Sequence, residues 1–211
     1  MHPMTAEDWT EIWKNRLVSL LELLLRPVIW RMYTRLLSKI DLTPASTVIE
    51  LGSGTGKNSL LISKTYRNRI TLVDNCRYIL EQSKRYFKEH HIPAKFVCRD
   101  VLKLGTKQTY NLVFSEGLIE HFVGANREKL LRLHKRLTSN TGYLLIFVPF
   151  LSVPYKLLRG VLRKLRLWKW REVPFSKGEL LHFCSKYNLR PIVLSTLFLG
   201  SWICLLAQPM K

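Results

Sequence analysis

Acidic residues are scarce in this chain. It has 15 Asp and Glu against 34 Lys and Arg, a formal charge of +19 at neutral pH. The imbalance is local: residues 1–44 carry +1, residues 45–150 carry +9 and residues 151–211 carry +9. Such a field draws phosphates, whether of nucleic acid or of anionic lipid, with a solvated basic surface that has no dedicated partner as the competing reading. Cysteine is also sparse. Cys76, Cys98, Cys184 and Cys204 are scattered, with no C-x-x-C and no paired ligand spacing, so neither a disulfide framework nor a metal centre is expected. Reduced thiols fit a cytoplasmic protein. No basic stretch precedes the first apolar run, which follows Glu7, Asp8 and Glu11, so no signal peptide is expected. A long apolar run is missing too. The 20 uncharged residues between Arg190 and Lys211 are broken by Pro191, Gly200, Ser201 and Pro209, which favours two buried strands over a membrane span. No repeat or low-complexity linker divides the 211 residues, so one domain is expected.

What the chain does have is Thr47 to Ser59, TVIELGSGTGKNS. Val48, Ile49 and Leu51 predict a buried strand. Gly52, Gly54 and Gly56 predict a turn whose backbone takes positive φ and approaches a ligand with no Cβ in the way. A helix then starts, with outward N–H groups that favour electron-rich groups. The spacing decides among glycine turns. A P-loop needs a longer interval and a hydroxyl after the lysine, but Lys57 is followed by Asn58. The dinucleotide fingerprint needs its third glycine one residue later, where Lys57 stands. What remains is acidic-x-Gly-x-Gly-x-Gly, filled by Glu50, Gly52, Gly54 and Gly56, with Ser53 and Thr55 between them. A plain structural turn is the competing reading.

In this element the chain resembles the class I, Rossmann-like S-adenosyl-L-methionine-dependent methyltransferases, whose first motif has this form. The resemblance implies an α/β fold with a doubly wound, seven-stranded, mostly parallel sheet. It also implies the sulfonium cofactor. Arg69–Asp74 reads as a second strand ending in an acid, where a carboxylate can accept from ribose hydroxyls. Asp74 is the expected ribose ligand, with Asn75 beside it. After a third strand, Ala94–Cys98, the resemblance implies that Asp100 accepts from the adenine amino group and that the Val101 amide meets the ring. After a fourth, Tyr110–Phe114, it places Glu116 among the cofactor contacts. Glu120-His121 matches a pair found after strand four in many small-molecule and lipid methyltransferases. An imidazole titrates near neutrality, so His121 could take a proton from a hydroxyl acceptor, or else only orient a loop.

The flanks are less informative. Thr5 to Asp8 and Ser176 to Glu179 read as helix-capping boxes. Trp9, Ile12, Trp13, Leu20, Leu23 and Leu24 recur at helical spacing, Arg26-Pro27 is expected to break that helix, and a second stripe runs from Val28 to Ile40. Residues 1–44 thus form a helical extension. In the resembled family such helices often cover the cofactor, which would bring Trp9 or Trp13 near it. Residues 45–211 form the methyltransferase domain, closed by two strands around a Gly-Ser turn, which implies one antiparallel strand near the C-terminus. An insert at about 150–173 carries seven basic residues and one acid, Glu172. On a helical wheel Leu157, Leu158, Val161, Leu162, Leu165 and Trp168 share one face and Lys156, Arg159, Arg163 and Arg166 the other. That pattern suits an anionic membrane surface, through residues 151–171, or a cap over the pocket. A peripheral position on the inner face of a membrane would follow from the first.

The acceptor is open. No Asp/Asn-Pro-Pro-Tyr/Phe element follows strand four. In the resembled families that element serves exocyclic amines of bases. A small-molecule or lipid-like acceptor is therefore favoured. An RNA acceptor bound through the basic surface and a non-catalytic cofactor-binding scaffold remain as alternatives.

Overall fold

The computed structural model describes residues 4–164 and 171–210, without the side chains of residues 16–19, 21 and 22. The seven strands form one mixed sheet, in the order Ala94–Cys98, Arg69–Asp74, Thr47–Leu51, Tyr110–Glu116, Thr138–Pro149, Trp202–Pro209, Leu189–Leu197. Residues 4–106 and residues 107–210 are two compact units.

In the first unit, α1 (Ala6–Lys14) starts at a capping box. The Thr5 amide donates to Asp8 Oδ2 and the Asp8 amide to Thr5 Oγ1. It ends at Asn15 rather than at Arg26-Pro27. The expected break at Pro27 does not occur, because Pro27 lies inside α2 (Arg16–Leu37). Proline removes the N–H that would reach the Leu23 carbonyl. Leu23 is exposed, so water can serve that oxygen. The expected stripe holds for Ile29, Tyr33, Leu36, Leu37 and Ile40, which are buried. It fails upstream: Leu20, Leu23, Leu24 and Val28 face solvent, as does Leu25 beside them.

Strands β1 (Thr47–Leu51), β2 (Arg69–Asp74) and β3 (Ala94–Cys98) pair in parallel, with Asp74 beside Cys98. Val48, Ile49, Leu51, Leu72 and Val73 are almost wholly buried. Such continuous apolar runs are what a parallel strand covered on both faces requires. Helix α3 (Lys57–Tyr66) follows β1 and α4 (Arg77–Glu89) follows β2.

The second unit holds β4 (Tyr110–Glu116), α5 (Gly124–Leu137), β5 (Thr138–Pro149), α6 (Val153–Lys164), α7 (Lys177–Lys186), β6 (Leu189–Leu197) and β7 (Trp202–Pro209). β4 and β5 are parallel. β7 runs antiparallel to both β5 and β6, the reversal that the Gly-Ser turn implied. At Gly142 an added Cβ would lie 2.7 Å from the Tyr110 carbonyl oxygen, so β5 can pass β4 this closely only without a side chain there.

One buried polar pair joins helix to sheet in this unit. His134 is fully buried. Its Nδ1 donates to the Leu130 carbonyl (2.8 Å), and its Nε2 accepts from Ser115 Oγ (2.9 Å). Those bonds require the neutral ring, and burial pushes its pKa from 6.5 down to about 4. The unfolded chain therefore binds a proton that the folded chain refuses. Stability is fully present above pH 6.5 and falls by about 3 kcal/mol on acidification to pH 4. Urea unfolding across this window should show that slope in the wild type and a flatter one in His134→Gln. Equal slopes would rule out the assignment.

Candidate active site

The glycine turn is built at the carboxyl ends of β1 and β2. Gly52 and Ser53 donate their amides to the Val73 carbonyl, at 2.8 and 3.0 Å. Gly52, Gly54 and Gly56 all take positive φ, at 66°, 50° and 66°. Two of them are also steric requirements. A Cβ on Gly56 would lie 2.3 Å from Leu72 Cδ2, and one on Gly54 would lie 2.8 Å from the Trp13 ring. Of the two tryptophans expected near the turn, Trp13 is placed against it.

Asp74 closes the turn. Its Oδ2 accepts from the Gly54 amide and its Oδ1 from the Cys76 amide, both at 2.8 Å. Burial raises the carboxyl above its ordinary pKa, and the amides of Cys76, Gly54 and Asn75 pull it down. The side chain is nearly buried, at 8% exposure, so its first task is to hold the backbone of the turn. Asn75 is exposed next to it. Glu50 is buried and accepts from Ser59 Oγ at 2.6 Å, tying the end of β1 to α3. The Arg99 amide donates to the Asp74 carbonyl, which brings Asp100 and Val101 to the same end of the sheet. Asp100 Oδ1 caps the 3₁₀ turn Val101–Lys103 through the Leu102 amide (2.9 Å). Glu50, Gly52, Ser53, Gly54, Thr55, Gly56, Asp74, Asn75, Asp100 and Val101 all lie at the carboxyl ends of β1, β2 and β3 or in the turns that follow them. Glu116 and His121 lie in the other unit.

In that unit the segment after β4 turns back on itself. Gly117 has φ 65°, and its missing Cβ leaves room beside the Glu120 carboxylate. Glu120 and His121, in the 3₁₀ turn Ile119–His121, are buried, and so is Glu172. One side-chain ligand atom from each lies within 4.8 Å of the others. Arg127 of α5 fixes the returning segment, donating to the Val173 and Phe122 carbonyls and stacking over the Phe175 ring. Tyr155 Oη donates to Glu172 Oε1 at 2.6 Å. Burial, then the Glu172 charge, lift Glu120 well above the ordinary carboxylate range. Burial also raises Glu172, against the hydrogen bond from Tyr155. His121 Nδ1 donates to the Arg171 carbonyl at 2.8 Å. Burial lowers its pKa, with the Arg171 and Gly117 carbonyls acting the other way. Nothing in the sequence pattern pointed to Glu172 here. It lies 52 positions beyond Glu120, and its one legible feature was being the lone acid in a basic insert.

A strand, glycine turn and helix closed by an acid on the next strand, in a seven-stranded sheet with a reversed β7, define the class I, Rossmann-like methyltransferase fold. Residues 48–142 match a family model described as a methyltransferase domain. Residues 48–142 therefore form a methyltransferase domain, on a chain whose fold is that of the class I, S-adenosyl-L-methionine-dependent methyltransferases. Among solved structures it is similar to magnesium protoporphyrin IX methyltransferase from Synechocystis PCC 6803, determined with bound SAH. The TM-score is 0.73 at 14% identity, over 97% of this chain and 93% of that one. It is also similar to geranyl diphosphate C-methyltransferase from Streptomyces coelicolor A3(2), determined with Mg2+, geranyl diphosphate and S-adenosyl-L-homocysteine. There the TM-score is 0.70 at 12% identity, over 93% and 87% of the chains. The [4+2]-cyclase SpnF matches too, with TM-score 0.69, 10% identity and 86% and 81% coverage. At these identities the structures establish the fold and not the acceptor. No curated protein matches the chain.

The cradle fits the cofactor. Three glycines leave its backbone bare, and Ser53 Oγ is buried there with no hydrogen-bond partner among the described residues. An orphaned hydroxyl is costly unless a ligand serves it.

Because Asp74 binds the turn itself, Asp74→Ala should destabilise even the cofactor-free protein, by about 2–4 kcal/mol for two buried bonds to a carboxylate. Chemical denaturation without ligand measures this. An unchanged midpoint would show that the bonds contribute nothing to folding.

Proposed function

We propose that this methyltransferase acts on a small-molecule or lipid-like acceptor at an anionic membrane surface. One observation carries the reading. On α6, Val153, Leu157, Leu158 and Val161 are 68%, 66%, 45% and 55% exposed, and Tyr155 is the helix's buried residue. Lys156, Arg163 and Lys164 are exposed on the same helix. A cap packed over a pocket would bury those apolar side chains. An interfacial helix presents them beside cations instead. The exposed Leu20, Leu23, Leu24, Leu25 and Val28 of α2 give the first unit an apolar surface of its own. No helix of the described residues is long and apolar enough to cross a membrane. Leu165 and Trp168, expected on the same apolar face, lie outside the described residues.

In this reading the bare turn and Ser53 receive the cofactor, and the free lone pairs of Asp74 and Asp100 take its ribose and adenine donors. The cofactor supplies an electrophilic methyl group on a sulfonium. Holding the acceptor in line with it, away from water, is then the main task of the protein. His121, oriented by its Nδ1–H on the Arg171 carbonyl, is the residue that would take a proton from a hydroxyl acceptor.

Two measurements test the proposal. Calorimetric titration with S-adenosylhomocysteine should show one site, abolished in Gly54→Val, whose side chain meets Trp13 at a positive φ. Undiminished binding in that variant would remove the cradle from the cofactor site. In flotation assays the protein should rise with phosphatidylglycerol vesicles and not with phosphatidylcholine vesicles. Replacing Leu157, Leu158 and Val161 by serine should weaken that binding by about a hundredfold, at roughly 1 kcal/mol per partly buried side chain. Vesicle binding unaffected by the serines, together with salt-sensitive RNA binding, would favour the RNA acceptor instead.

A further inference from the structure

We infer that Glu120, His121 and Glu172 form a site for one divalent metal cation. Two carboxylates and an imidazole supply the oxygen and nitrogen donors that Mg2+, Mn2+ and Zn2+ accept. Their ligand atoms lie within 4.8 Å of one another. A cation with ligands at about 2.0–2.6 Å keeps its donors within about 5 Å of each other, so the three groups can meet one ion with little movement.

The surroundings are those of a prepared site. His121 donates Nδ1–H to the Arg171 carbonyl. A bond of this kind commonly orients a metal-binding imidazole. Nε2 faces Glu120 Oε1 at 4.0 Å. Tyr155 likewise orients Glu172 from outside through its Oε1. Glu120 is 1% exposed, and its Oε2 has no hydrogen-bond partner among the described residues. Leaving such an oxygen bare is costly, and placing a second buried carboxylate beside it adds repulsion. The Arg127 charge offsets this in part, while its hydrogen bonds go to the Phe122 and Val173 carbonyls and to Glu179. A divalent ion would neutralise both acids and serve the unpartnered oxygen together. Three protein ligands leave further coordination positions for water or for an oxygen of the acceptor.

The test uses the full chain without methyl donor, so it stands or fails apart from the proposed acceptor and membrane surface. Mn2+ is titrated into chelator-treated protein, and the free-ion signal is followed by electron paramagnetic resonance. The expected result is one bound ion per chain. Binding should weaken roughly a hundredfold or more in Glu172→Gln and in His121→Ala. Tyr155→Phe, which removes an orienting bond but no ligand atom, should keep the one-to-one stoichiometry. Thermal melts check that each variant is folded. His121→Ala, in a different part of the chain, decides the matter if Glu172→Gln does not fold. Absence of stoichiometric uptake by the wild type, or equal uptake by wild type and a folded ligand variant, would overturn the site.

Discussion

The structure depends on one carboxylate. Asp74 ends the second strand and reaches back to the amide of Gly54, so a charged side chain holds the first crossover in a shape that glycine permits but does not enforce. With the amides of Gly52 and Ser53 on the Val73 carbonyl, the end of β2 becomes the template on which the turn is cast. The bare peptide surface and the start of α3 take their positions from it. A binding surface made of backbone needs such outside support, because glycine contributes no side-chain packing of its own.

The same support accounts for Trp13. Its ring fits against Gly54 because nothing projects there. α1 is further tied to this corner by Thr10 Oγ1 at 3.3 Å from Cys76 Sγ and by Lys14 over the Tyr78 ring. The N-terminal helix thus packs within the same compact unit as the glycine turn, the one spanning residues 4–106.

Local signals in the sequence were reliable where the cause was local. The glycine spacing, the acid ending β2, both capping boxes and the reversal at Gly200-Ser201 each act within a few residues, and each appears in the structure. Pro27 misled because a proline costs one helical hydrogen bond, and a solvent-facing carbonyl can recover it from water. Leu20, Leu23 and Leu24 misled because periodicity tells which residues share a face and not what covers that face. Glu172 was illegible for a different reason. It meets Glu120 only after the chain has passed through α5, β5 and α6, and no spacing rule spans that distance.

The cysteines divide by environment. Cys184 and Cys204 are buried, with thiols pushed up to about 11 by burial, and Cys76 is buried beneath α1. Cys98 alone is exposed, two positions before Asp100. A maleimide dye offered to the native protein would therefore attach at one position, at the tip of β3. The chain already carries a handle for an optical reporter two positions before Asp100, with no engineered thiol required.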